Sequence, residues 1–454
     1  MENSKVGSYF VISLVYVLFA FCFTNQAFSQ GTAVTLLSNF HVPSSAFITD
    51  VWGYYDSNTN KEYALITDNT LGLFIIDVTT PTNPTLVSHV NTVPGFDVKG
   101  WQHYVYTVNG GGSGSGGIVD ISIPESPQVV GSFPSSHNIF ISDNGYMYLE
   151  YPGLRIYNLN PDPTNPTLIW NDQSSGGHDA TVVGNILYDF HGSQGTFIYD
   201  VTNPSSPQQL GAITDPSITY HHSGWISPNG QFLYICDELA AHPQADISIW
   251  NISNPGNPQR VGQYADANAT VHNFIVKGNY GFTSYYTAGF RVFDISNPTQ
   301  LSLASEYDTS PQSGEGYAGA FGVYPLAPSG NIYVSDWDNG LFVFSFTDSS
   351  TLDINHQASG VPDKYELHQN YPNPFNPSTT IKYEIPDQSY VNVGVYNLLG
   401  QQVRNLISEV KPAGVHSVEW DGKGESGNPV PSGIYFYRMT AAGFSDIKRM
   451  VLMK

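Results

Sequence analysis

Six stretches of the chain repeat one arrangement of apolar and polar positions: GLFIIDVTTPTNPTLV, GGIVDISIPESPQVV, GLRIYNLNPDPTNPTLI, GTFIYDVTNPSSPQQL, ISIWNISNPGNPQRV and GFRVFDISNPTQLSLA. In each, alternating apolar side chains lead to an Asp or Asn, and a proline turn follows. Alternation with period two is the mark of a strand, and the proline segment ends it. The acid or amide positions are Asp77, Asp120, Asn158, Asp200, Asn251 and Asp294, separated by 43, 38, 42, 51 and 43 residues. A seventh copy, GLFVFSF, places Ser345 a further 51 residues on. A period of roughly 40–50 residues holding several short strands is that of a propeller blade, so the spacing predicts an all-β, seven-bladed β-propeller.

The seventh copy lacks the proline turn and the fourth strand. TLLSNFHV at 35–42 resembles the TLVSHV of the first blade and is expected to supply that strand, closing the ring with both ends of the domain. Closure removes the open sheet edges that invite aggregation. The repeated Asp or Asn is expected to accept the backbone N–H two residues on, as an Asx-turn.

The pattern changes at both ends. Residues 1–29 carry Lys5, an apolar run and then Ala27-Phe28-Ser29, which reads as a secretory signal peptide. No later segment is apolar for long enough to span a membrane, so the mature chain is expected to have no transmembrane segment. Residues 349–369 are polar and aperiodic and read as a linker from the propeller of 30–348. From 370 to 454 the strings VNVGVY, VHSVEW, GIYFYRM and IKRMVLM predict a small Ig-like β-sandwich.

Composition sharpens this division. Acidic residues number 38 against 16 basic, a net charge of −22. Residues 30–379 hold 30 acidic and 7 basic side chains, whereas 380–454 hold 7 and 8, so the acidity belongs to the propeller. Such a surface disfavours nucleic acid as a partner. After removal of the leader Cys236 is the single cysteine, and stability must come from packing rather than an internal disulfide.

Aligning the blades on their first strands brings His137, His178, His222 and His272 to one equivalent position in four consecutive units. Inner strands run beside the central channel, so these imidazoles are expected to converge at its mouth. Asp179, Asp237 and Glu238 lie close by in sequence. Imidazoles with carboxylates suit a divalent transition metal; the same ring position could equally serve to bond one blade to the next. No HExxH, GxSxG or paired-cysteine motif is present, and GGGSGSGG at 110–117 reads as a blade loop rather than a phosphate cradle.

Two resemblances follow from these strings. YPNPFNPSTTIKYEIP, VYNLLGQQV, WDGKGESGNPVPSGIYFYRM and KRMVLMK resemble the C-terminal sorting domain of type IX secretion cargo. That implies the type IX machinery as a partner and an extracellular or outer-membrane surface address. DVWGYYDSNTNKEYALI, the GHD at 177–179, HHSGWISPNGQFLYICDE and VHNFIVKGNYGFTSYYTAGFRVFDIS resemble the choice-of-anchor B family of LVIVD-repeat propellers. Relatives tend to carry HQGW and SNY where this chain has HSGW at 222–225 and SYY at 284–286. That resemblance implies architecture and address rather than a reaction. The expectation is a non-catalytic binding module for a glycan, peptide or protein, with His137, His178, Asp179, His222, Trp225, His272, Asn273 and Tyr285 at the site. The alternative is a metal-dependent hydrolase or lyase in which His178, His222, His272, Asp237 and Glu238 surround the ion.

Overall fold

The computed structural model describes residues 32–42, 47–172, 176–240, 244–348, 364–386, 389–398, 400–411, 414–441 and 444–453. The leader at 1–29 lies outside the described residues, as does 349–363 of the expected linker. The chain divides into two units between Thr351 and Leu352.

Among the described residues of the first unit, seven four-stranded antiparallel sheets form the blades of a β-propeller. Their innermost strands are Ile48–Asp56, Asp97–Trp101, Asn138–Ile141, Asp179–Val183, His221–Ile226, Phe274–Lys277 and Ala320–Tyr324. Each neighbours the next, and the seventh returns to the first. Blade 7 is completed by Thr32–Phe40, paired with Gly340–Asp348 from Thr32↔Asp348 to Phe40↔Leu341. The ring therefore closes with strands from the two ends of the domain, as the TLLSNF string predicts.

All six Asx-turns form: Thr79, Ser122, Asn160, Thr202, Ser253 and Ser296 donate their backbone N–H to Asp77, Asp120, Asn158, Asp200, Asn251 and Asp294 at 2.7–3.0 Å. The proline turn they start has a second use. Its carbonyls press on the outermost strand of the preceding blade, where the sequence keeps a small residue. Ser38 and Ser88 donate hydroxyls to Pro81 and Pro124 carbonyls at 2.5 and 2.6 Å. At Gly211 a Cβ would stand 1.7 Å from the Pro255 carbonyl oxygen, and at Gly262 2.2 Å from that of Thr299. Tyr106 and Tyr234, buried on second strands, donate to the carbonyls of Pro163 and Pro298 in the next blade. Apolar packing between blades is thus reinforced by hydrogen bonds that satisfy turn carbonyls.

The second unit is a β-sandwich. One sheet orders Glu366–Leu367, Thr379–Ile385 and Gly414–Trp420; the other orders Gln402–Lys411, Ser389–Tyr396, Gly433–Ala441 and Phe444–Leu452. Phe375, Ile381, Val393, Trp420, Tyr437 and Met450 lie in its core. Residues 364–369, expected to be linker, belong to this unit: Leu367 is buried in the same core and pairs with Tyr383. No helix among the described residues is long and apolar enough to cross a membrane.

Candidate functional site

The four aligned histidines do converge. Ring centroids stand 4.5 Å apart for His137 and His178, 4.2 Å for His178 and His222, and 4.6 Å for His222 and His272. Two phenylalanines at the same strand position complete the circuit, with Phe96 5.0 Å from His137, Phe321 4.2 Å from His272, and 5.9 Å between the two phenylalanines. Six rings thereby encircle a cavity of about 330 Å³.

Each ring's second nitrogen explains how the arc is held. His137 Nδ1 lies 2.6 Å from the Gly110 carbonyl, His178 Nδ1 3.0 Å from that of His222, and His272 Nδ1 2.5 Å from that of Phe321. A carbonyl only accepts, so in all three the proton sits on Nδ1 and Nε2 keeps its lone pair. The blade-to-blade bond and the capacity to ligate belong to opposite sides of one imidazole.

His222 differs. A β-bulge between His221 and Ser223 turns it out of the ladder register, and its buried Nδ1 lies towards the His272 main chain without closing a well-formed hydrogen bond. Its Nε2 faces Glu238 Oε2 at 3.4 Å, while the Tyr286 hydroxyl donates to Glu238 Oε1. His178, His222 and Glu238 each bring one donor atom within 4.8 Å of the others. Burial, with the neighbouring imidazoles adding to it, holds His178 and His222 well below the ordinary histidine range. His272 is lowered by burial too, against the pull of Glu238. Neutral imidazoles of this kind are ready metal ligands.

One residue further along the strands the lining becomes acidic and amide. Asp50, Asp97, Asn138, Asp179 and Asn273 all face the cavity, with Lys99 among them. Lys99 Nζ stands 2.8 Å from Asp50 and 2.6 Å from Asp97. Burial disfavours its ammonium, but the two carboxylates outweigh this and keep it charged. Asp97 is held below its ordinary range despite burial, because Lys99 offsets the desolvation; Asp50 is pushed well above it by burial. Asp179 is raised to about 7 by burial and by Asp97. Trp52, Phe140 and Trp225 line the cavity deeper along the same strands, and Trp225 packs against blade cores on several sides.

Three sequence expectations are displaced. Asp237 does not join the donor cluster, because its carboxylate accepts the amide N–H of Thr219, Tyr220 and Leu239. Tyr285 is buried in a blade core, bonded to Asp246 and beneath Arg291, and it is Tyr286 that lines the cavity. His272 stays in the arc but outside the closest donor group. Sequence reasoning missed Phe96 and Phe321, although GFDV and AFGV occupy the aligned position of GHDA and VHNF. It also missed Lys99, whose signal was a lone cation in an acidic inner strand.

Comparisons with known proteins agree with this architecture. The profile of the LVIVD repeat matches residues 60–92 and 270–309, and that of the FlgD Ig-like domain matches 376–444. The chain is similar to the WD40 β-propeller domain of Doa1, with a TM-score of 0.50 and 13% identity over 69% of this chain and 97% of that one. PorZ, described as an essential surface component of the type-IX secretion system of Porphyromonas gingivalis, aligns with a TM-score of 0.39 and 14% identity, covering 94% of this chain. The present chain spans 59% of that protein's length. No curated protein sequence matches. The two family matches and the likeness to the Doa1 propeller support the all-β fold: a propeller with LVIVD repeats, followed by an Ig-like domain.

Proposed function

We propose that the protein is an exported, surface-displayed propeller that binds the end of a glycan chain in its channel cavity. The observation that carries this reading is the cavity itself: a ring of aromatic side chains, a belt of carboxyl and amide groups with one ammonium, and further aromatic side chains beyond it. Aromatic faces stack on the C–H faces of sugars, and a dense set of acceptors suits hydroxyl donors. A peptide end would use the same Lys99 and carboxylates, and is the alternative ligand class. The test is an array of glycans and peptides probed with the full chain, with and without Zn²⁺ or Ca²⁺; saccharide hits that fail on His178→Ala and Asp179→Asn support the reading.

The sandwich at 364–453 is, in this reading, a type IX sorting module, supported by its order of motifs. Deleting 364–454 should leave the propeller in the periplasm, whereas unchanged surface display would remove this part of the proposal.

A second reading rests on one specific observation, the His178–His222–Glu238 donor group. A divalent transition metal bound there would turn the same cavity towards hydrolysis or lyase chemistry, with Asp179 placed as a base. Metal analysis of protein purified without chelator separates the two: a stoichiometric metal lost in His222→Ala favours the enzyme.

A further inference from the structure

A second cluster of donors lies outside the cavity lining, where blades 3 and 4 meet. Glu150 ends the second strand of blade 3, Tyr146–Glu150, and Asp189 and His191 lie at the end of the second strand of blade 4, Ile186–Phe190. One donor atom of each stands within 4.8 Å of the other two, and all three residues are buried. Asp189 already faces His191 Nδ1 at 3.1 Å.

Glu150 is the informative member. It is fully enclosed, and neither carboxylate oxygen has a hydrogen-bond partner. Arg155, on the adjoining strand, does not neutralise it by an ion pair; its Nη2 donates to the carbonyls of Ser135 and Tyr151 instead. Burial, with Asp189, Asp172 and Asp179 adding repulsion, pushes Glu150 well above the ordinary carboxylate range. A buried carboxylate without donor or paired cation is costly, and a bound ion removes the deficit. The main chain of Gly176 and Gly177 covers the cluster closely. A Cβ on Gly176 would come 2.3 Å from His191 Nε2, and one on Gly177 2.7 Å from Glu150 Oε2.

We propose that Glu150, Asp189 and His191 bind a divalent transition-metal ion that staples blade 3 to blade 4. An imidazole with two carboxylates fits Zn²⁺ or Mn²⁺ better than Ca²⁺, which prefers an all-oxygen set. Donors around a tetrahedral ion with bonds of about 2.1 Å stand roughly 3.4 Å apart, so the three side chains would have to draw together around the ion and would leave the fourth position of its shell open. A metal in this position would tie neighbouring blades together in a propeller whose described residues hold one cysteine, the buried Cys236.

The test uses the full chain carrying His178→Ala, His222→Ala and Glu238→Gln, which removes the three closest channel donors and makes the result independent of the proposed channel function. After chelator treatment, Zn²⁺ is titrated by calorimetry with Ca²⁺ as the control, and Co²⁺ is added to read visible d–d absorption. The expected result is one equivalent of Zn²⁺, a thermal midpoint raised by several degrees, and at least a tenfold loss of affinity in Glu150→Gln. His191→Gln, which should lose the Co²⁺ spectrum, replaces Glu150→Gln if that variant does not fold. Absence of Zn²⁺ binding, or binding unchanged by these substitutions, overturns the proposal. So does a metal-free Glu150→Gln protein that gains stability and shows no response to Zn²⁺, which would make Glu150 a buried neutral acid.

Discussion

His178 donates its Nδ1–H to the main-chain carbonyl of His222, so the residue that turns its own ring towards Glu238 also fixes the neighbouring imidazole through its backbone. The two histidines are therefore unequal in stability while equal as ligands. Replacing His222 by Ala removes a buried ring whose Nδ1 makes no well-formed hydrogen bond, whereas replacing His178 leaves a buried carbonyl without its donor. The His178→Ala propeller should be less stable than His222→Ala by about 1–2 kcal/mol, read from denaturant midpoints of the propeller transition. Equal midpoints would show that this inter-blade bond contributes nothing.

The histidine arc sets an acid limit. His178, His222 and His272 are all held below the ordinary histidine range. In the unfolded chain these rings take up protons near pH 6.5, while in the folded chain they resist. Their contribution to stability is thus fully present above about pH 6.5 and is lost as pH falls through the depressed folded values. Thermal midpoints should decline below pH 6, and a His178→Phe variant should decline less steeply. A flat profile between pH 7 and 5 would be inconsistent with neutral buried rings.

Asp179 acts in the opposite sense. Its carboxyl is raised to about 7, so the folded state holds a proton that the unfolded state has released. Any stability from the protonated form is present below the unfolded value near 4 and disappears as pH rises through about 7. Asp179→Asn should therefore stabilise the protein at pH 8, by up to about 4 kcal/mol, and hardly at all at pH 4. Comparing midpoints of the two proteins at both pH values checks the sign.

The Asx-turns offer a local test of the repeat. Asn251 accepts the Ser253 N–H at 3.0 Å. Asn251→Ala should cost about 0.5–1.5 kcal/mol, and Asn251→Asp, which keeps the acceptor, should cost little. Equal losses in the two variants would mean that the side chain acts through something other than its oxygen.

Much of this fold was legible because a propeller writes its architecture once per blade. The Asp or Asn before each proline turn, and TLLSNF as the missing fourth strand of the seventh blade, both follow from local pattern. The site was legible where it shared that period, as with the four histidines. It was less so where it depended on which face a turn presents: Tyr286, not Tyr285, reaches the cavity because Tyr286 adopts a left-handed backbone conformation, with φ of 38°. Asp237 and Glu238 are adjacent, yet one caps backbone amides while the other meets His222, a choice made by strand register rather than residue type. The Glu150–Asp189–His191 cluster left no trace in the repeat, since its members come from different positions in two blades.

The most direct test of the account is ligand binding to the full chain with the cavity open and with it filled. Asn273 lines the cavity just before the inner strand of blade 6, so Asn273→Trp should occupy the space while leaving the blades in place. Saccharide hits are expected on the array for the natural protein, confirmed by calorimetry, with their loss in Asn273→Trp at an unchanged thermal midpoint. Hits that survive the tryptophan, or no hits for the natural protein with or without added metal, would contradict it.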